Sequence, residues 1–251
     1  MSRFSIKPPN FLNILREGRT FFEFIDTVMN TPEVPVGDGH PVMVIPGLGT
    51  SDNSTTILRN FLKKIEYRTY GWQQGLNRGY NDAVLERLST RLEYLYHKYG
   101  EKKVSLIGWS LGGVFARELA KEFPMYVRQV ITMGSPFRID LSIKTNANWI
   151  YELLSGHSIE DLAPNLTMTL HETPSVPMTA IYSKTDGIVP WQICVEAEEG
   201  YGVENIEAPS THFGFGHNRA VLMAVGNRLA QPEGEWSSFK ETEIGEEYFK
   251  I

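Results

Sequence analysis

The chain has 251 residues, with 24 Lys plus Arg against 30 Asp plus Glu and a formal net charge of −6. That length suits one α/β domain with a short insertion, and an acidic balance without any basic run argues against nucleic acid as a partner. No apolar run reaches the roughly 18 residues of a membrane span, Met1 to Phe11 lacks the pattern of a secretory signal, and the lone Cys194 builds neither an intrachain bridge nor a Cys-rich zinc site. A soluble, cytoplasmic protein is the expectation.

From Asn10 to Met29 the apolar residues Phe11, Ile14, Leu15, Phe21, Phe22, Ile25, Val28 and Met29 recur at three- and four-residue steps. This is the stripe of an amphipathic helix, interrupted at Gly18 and ended by Pro32 and Pro35. The stripe is expected to pack on the chain's own sheet or to cover its pocket, because Arg16 and Arg19 are too few to argue for an interfacial anchor. Val42 to Ile45 then reads as a strand buried on both faces, stopped by Pro46 and Gly47. Asp52 to Glu66 follows in helical register, Arg68 to Tyr70 as a short strand, and Leu85 to Tyr99 as a helix stopped at Gly100.

Val104 to Ile107 is a third strand, Leu111 to Phe123 a helix and Val127 to Met133 a fourth strand. Such alternation predicts a mostly parallel central sheet with helices on both faces and ligands at the carboxyl ends of its strands. Between Pro136 and Pro177 the rhythm breaks. Trp149, Ile150, Leu153 and Leu154 make a short apolar face there, and Ser158 with Asp161 resembles a capping box. Residues 137–177 are therefore expected to form a helical lid insertion, with a solvated loop as the alternative. Met178 to Tyr182 and Val203 to Glu207 complete the sheet, and Ala220, Val221, Val225 and Leu229 mark a closing helix. One domain over 1–251 is the expectation, with an N-terminal helical segment at 1–35 and an acidic surface tail at 231–251.

The sharpest motif is Gly108-Trp109-Ser110-Leu111-Gly112-Gly113, set between a strand and a helix. In that context Ser110 sits on a tight turn that lifts its hydroxyl above the sheet, and the flanking glycines leave room for neighbouring backbone. A serine needs a histidine to take its proton and a carboxylate to fix the imidazole. His40, His97, His157 and His171 are assigned to structure, which leaves His212 and His217 in the loop after the last strand. His212 lies nearer the strand end and is preferred as the base, with His217 better suited to the helix start. Asp186, in an Asp-Gly turn after the fifth strand, is the acid, with Asp140 as substitute. The order Ser110, Asp186, His212 is that of a nucleophile-elbow enzyme. Negative charge on a tetrahedral intermediate then needs the Leu111 N–H and a second donor, Leu48, from the loop Pro46-Gly47-Leu48-Gly49-Thr50. Dinucleotide, phosphate-loop and zinc-hydrolase motifs are absent.

These residues resemble the α/β-hydrolase superfamily from Pro41 to Leu229. PGLGTSD, YGW near Tyr70, GWSLGG around Ser110, YSKTDGIVPW around Asp186 and THFGFGHN around His212 look like its bacterial lipase- or esterase-like branch. The resemblance implies a triad of Ser110, Asp186 and His212, oxyanion donors at Leu48 and Leu111, and ester hydrolysis through an acyl-enzyme without metal or cofactor. Pro46 stands where many members have a histidine. Trp109 is assigned to substrate contact or to packing beneath the elbow, and Trp149, Ile150, Leu153 and Leu154 to the acyl pocket. The expected substrate is a small-molecule ester or lipid with an apolar acyl group. Acyl transfer, thioester cleavage and polyester depolymerisation use the same triad, while a silent binding protein would lack a triad member. Oligomeric state is not legible.

Overall fold

The computed structural model describes residue 9, residues 11–138 and residues 169–239. Six strands, β1 (Pro41–Ile45), β2 (Arg68–Gly71), β3 (Val104–Trp109), β4 (Val127–Met133), β5 (Met178–Tyr182) and β6 (Val203–Glu207), pair in the order β2-β1-β3-β4-β5-β6. Every pairing is parallel. Residues throughout β1, β3 and β4 are buried, as interior strands covered on both faces require, whereas β6 at the edge alternates.

Among the described residues the α-helices are α1 (Phe11–Arg16), α2 (Thr20–Met29), α3 (Thr56–Lys64), α4 (Asp82–Lys98), α5 (Leu111–Glu122) and α6 (Arg219–Leu229). Alternation along each strand feeds two cores. Met43, Ile45 and Leu106 pack with α4 and α5, while Val42, Val44 and Ile107 pack with α3 and α6. The α4 helix begins where Asn81 Oδ1 accepts the Val84 N–H at 2.9 Å, and buries Val84, Leu88, Leu92 and Leu95 at helical spacing. Gly100, at φ +65°, ends it. None of the described helices is long and apolar enough to cross a membrane.

The N-terminal segment corrects the sequence reading. Of α1 and α2 only Thr27 is buried, and Phe11, Leu15, Phe21, Phe22, Val28 and Met29 are all more than 60% exposed. The apolar stripe is largely exposed, with Ile14 at 49% and Ile25 at 37% its most covered members. Its opposite, polar face lies instead on the loops that follow β5 and β6, whose backbone N–H groups need acceptors in a buried setting. Helical spacing brings Thr20, Glu23 and Thr27 onto one side, where Glu23 accepts the Thr211 N–H and Thr27 Oγ1 donates to His217 O.

The residues expected to form the lid, including Trp149, Ile150, Leu153 and Leu154 and the capping box at Ser158, lie outside the described residues except at the two ends. Those ends are held by α5. Buried Arg117 pairs with Glu196, donates to Glu172 O at 2.9 Å and lies 3.8 Å above the Phe137 ring. Lys121 Nζ donates to Thr169 O at 2.8 Å. Removing one member of such a pair would strand a buried charge.

Candidate active site

Where β1 pairs with β2 on one side and β3 on the other, the strand order reverses, the place at whose carboxyl ends parallel sheets generally bind ligands. One residue, Ser110, separates β3 from α5. Its backbone sits at φ 52°, ψ −124°, a conformation that costs an L-residue about 1–3 kcal/mol. The turn is held by Ser110 N–H donating to Met133 O at 2.8 Å and Gly113 N–H donating to Ser110 O at 3.0 Å. Glycine is compulsory on both sides: a Cβ on Gly108 would stand 2.3 Å from Gly113 Cα, and one on Gly112 would stand 2.2 Å from Ile45 O. The start of α5 directs its dipole and free N–H groups to this turn.

Facing Ser110 is the loop after β1. Gly47 approaches so closely that a Cβ there would lie 3.2 Å from Ser110 Cβ. Asn77, fully buried, organises this loop by donating from Nδ2 to Pro46 O at 2.9 Å, accepting the Gly49 N–H at 2.8 Å and donating its own N–H to Thr50 O at 2.8 Å. Thr50 Oγ1 donates to Gly47 O at 2.7 Å. The Leu48 N–H, between these ties, makes no hydrogen bond among the described residues. Nothing in the sequence singles out Asn77, because its contribution depends on a loop meeting another loop.

Asp186 and His212 come from the ends of β5 and β6. Asp186 Oδ1 accepts the N–H groups of Ile188 and Val189, both at 2.8 Å, and Oδ2 lies 2.7 Å from His212 Nδ1. A carboxylate only accepts, so Nδ1 donates and the lone pair stays on Nε2. The imidazole is packed by Trp109, Phe213 and Phe215, with ring centroids 6.2, 6.0 and 6.1 Å away. Burial disfavours its charged form, but the charge and hydrogen bond of Asp186, reinforced by Glu17, outweigh this and raise its pKa above the usual 6.5.

Ser110, Asp186 and His212 are each 4% exposed, and Ser110 Oγ makes no hydrogen bond to a described residue. His217 is turned elsewhere: its Nε2 donates to Thr20 O at 3.1 Å. Asp140 lies outside the described residues. Of the two uses expected of Trp109, packing beneath the elbow is the one its surroundings match. It packs in the core shared with α6, and its indole N–H donates to His212 O at 3.1 Å, so that it braces the histidine loop. Among the described residues no three His, Cys, Asp or Glu side chains gather as metal ligands would.

Sequence reasoning also missed Glu17 and Glu23. Glu23 accepts the Thr211 N–H at 3.0 Å and the Asn218 amide at 3.1 Å. Their helical spacing was visible, but a polar stripe is ordinarily assigned to solvent.

Residues 41–157 match a family model described as the alpha/beta hydrolase fold. Serine hydrolase BPHL of Mus musculus is 30% identical over 109 residues, 40% of this chain and 38% of that protein. The Homo sapiens counterpart is 31% identical over 109 residues, 39% of this chain and 37% of that protein. The match thus spans well under half the length of these relatives. Among solved structures, Aspergillus fumigatus lipase B superposes with a TM-score of 0.61 at 18% identity, covering 79% of this chain and 55% of that one. Bacillus licheniformis lipase BlEst2 in mature form gives 0.55 at 17% identity, covering 78% and 95%. At these identities the superpositions speak to the fold.

Proposed function

Because this chain belongs to the α/β-hydrolase superfamily, we propose that it is a serine hydrolase that cleaves carboxylic esters of apolar acyl groups through an acyl-enzyme. The observation that carries the reading is the left-handed backbone of Ser110 at the carboxyl end of β3, on the same sheet edge as a hydrogen-bonded Asp186–His212 pair. In this reading the base and nucleophile arise from separate strand ends, so the sheet itself sets their spacing.

Ser110 Oγ attacks the ester carbonyl as His212 Nε2 takes its proton, and Asp186 holds the imidazole in the tautomer that leaves Nε2 free. The N–H groups of Leu111 and Leu48 stabilise the oxyanion, and the glycine-lined turn lets backbone come close enough for them to reach it. The imidazolium returns the proton to the leaving alcohol, and the acyl group remains on Ser110. Water, deprotonated by His212, then attacks the acyl-serine, and the carboxylic acid departs with Oγ reprotonated. Acyl transfer, thioester cleavage and polyester cleavage differ from this in the acceptor or leaving group.

The test is a fluorophosphonate probe against wild type and Ser110→Ala, joined to ester, thioester and polyester substrates of varied acyl length, with and without an acceptor alcohol. Labelling confined to wild type, with turnover greatest on esters, is expected. Equal labelling of both proteins would remove Ser110 as nucleophile, and preference for an alcohol acceptor would make the chain a transferase.

A further inference from the structure

Glu17, in the 3-10 turn Glu17–Arg19 between α1 and α2, belongs to none of the strand-end loops, yet its carboxylate joins two of them. Oε1 accepts the Gly187 N–H at 2.8 Å and the His212 N–H at 2.9 Å. Oε2 accepts the Phe213 N–H at 3.2 Å. Gly187 is the residue after Asp186, so one side chain ties the backbone of the proposed acid to the backbone of the proposed base. The surroundings are built for it. A Cβ on Gly187 would stand 2.4 Å from Asn13 O, and Asn13 Nδ2 donates to Lys184 O at 3.0 Å. Thr20 Oγ1 lies 2.8 Å from Thr211 Oγ1.

We propose that Glu17 is a positioning residue for the reaction assigned above, fixing Asp186 against His212 by accepting backbone N–H groups from both loops. The inference rests on the serine-hydrolase reading of Ser110. A carboxylate suits the task better than a neutral acceptor, because two oxygens serve three donors and charge-assisted bonds are the stronger ones. Its charge also bears on the imidazole. The charged groups around His212 are Asp186 on the β5 loop and Glu17, with Glu23 and Arg19 further along the same segment, where Arg19 lies 3.8 Å from Glu23 and 3.4 Å from Thr185 Oγ1. His217 beyond them is engaged with Thr20 O. Taking away the Glu17 charge therefore lowers the affinity of His212 for its proton, and taking away the acceptors loosens its spacing from Asp186.

The experiment compares wild type, Glu17→Gln and Glu17→Ala by steady-state kinetics over pH and by NMR titration of His212. Gln keeps one acceptor oxygen and nearly the same shape, so the fold is retained where Ala weakens it. Expected for Glu17→Gln is a downward shift of the His212 pKa and, with it, of the acidic limb of kcat/KM. Glu17→Ala is expected to lose about tenfold or more in kcat with KM within about threefold, and Gln to recover part of that loss. A helix that merely packed would change melting temperature and leave the imidazole titration where it was. An unshifted His212 in Glu17→Gln, or wild-type kcat in Glu17→Ala, overturns the proposal. Failure of the fluorophosphonate to label wild type would instead overturn the hydrolase reading, and the NMR titration would still decide whether Glu17 governs His212.

Discussion

Among the described residues, the proposed triad of Ser110, His212 and Asp186 at the carboxyl end of the sheet has a counterpart at the amino end in Ser105, His40 and Asp38. At the amino end His40 Nδ1 faces Asp38 Oδ1 at 2.5 Å and His40 Nε2 faces Ser105 Oγ at 2.7 Å, so the hydrogen-bonded relay is complete. At the carboxyl end the Asp186–His212 bond is present and Ser110 Oγ makes no hydrogen bond to a described residue. By hydrogen bonds alone the first would be chosen. Three physical differences reverse the choice. Ser105 is 0% exposed on an interior strand, with both neighbours in the ladder, whereas Ser110 stands on a left-handed turn at a helix N-terminus. Arg128 lies 3.0 Å from His40 Nδ1 and donates to Asp38 at 2.6 Å, so a second proton on that imidazole would meet a cation already in place. A cavity of about 700 Å³ opens nearby, but Asp38 borders it while His40 and Ser105 do not. The lesson is that a relay becomes a candidate for chemistry through its backbone setting and its neighbouring charges, and not through its residue types.

Exchanging each member of one constellation against its counterpart sharpens this contrast. The largest effect is expected at the serines. Ser110→Ala should lower ester turnover by about 10⁴-fold or more, as loss of a nucleophile does, while Ser105→Ala should leave kcat within about twofold. Comparable losses in both would break the distinction. The acids come next: Asp186→Asn should cost roughly 10²–10⁴ in kcat by favouring the wrong tautomer, whereas Asp38→Asn should act on stability and not on turnover, read from the same assay and a denaturant curve.

The two histidines should titrate in opposite directions. Burial and the Arg128 charge, against the pull of Asp38, hold His40 at about 4. Unfolded chain therefore takes the proton first, and stability should fall as pH drops from 6.5 toward 4, by on the order of 3 kcal/mol in total. His40→Gln should flatten that fall in urea unfolding measured at pH 7 and pH 4.5. His212, raised above 6.5, contributes stability below that pH that is lost as pH rises through its folded value, and its deprotonation places the acidic limb of kcat/KM above pH 6.5. A limb near pH 4 would transfer the base role to a group like His40. The smallest effect concerns the brace: Trp109→Phe removes one hydrogen bond to the His212 loop, about 1 kcal/mol, and should lower kcat about fivefold with KM little changed.

Sequence reasoning reached different depths in different places. The six strands of the sheet and the described helices from α3 onward were legible, because continuous apolar runs and three–four spacing are local signals, while the order of the strands in the sheet was not. The elbow was legible because Gly108 and Gly112 answer to sterics within a few residues of Ser110. The N-terminal segment was read with its faces exchanged. Periodicity showed two faces but not which one meets the protein, and the polar side won because the loops after β5 and β6 present N–H groups that only Glu17 and Glu23 satisfy. Trp109 had two uses open to it in the sequence, and alternation on β3 selects packing by sending it to the α6 side, a fact fixed by the sheet's orientation.

What the sequence determined by itself was the list of elements, the α/β-hydrolase architecture and the strained serine, since each is written in spacing, turn chemistry and volume along a short stretch of chain. Only the tertiary structure decided which histidine meets Asp186, which polar side chains hold that pair, and which set of Ser, His and Asp stands at a strand-to-helix turn. Those outcomes depend on groups far apart in the chain, from Glu17 to His212, whose hydrogen-bonding needs become specific only when folding has excluded water from around them.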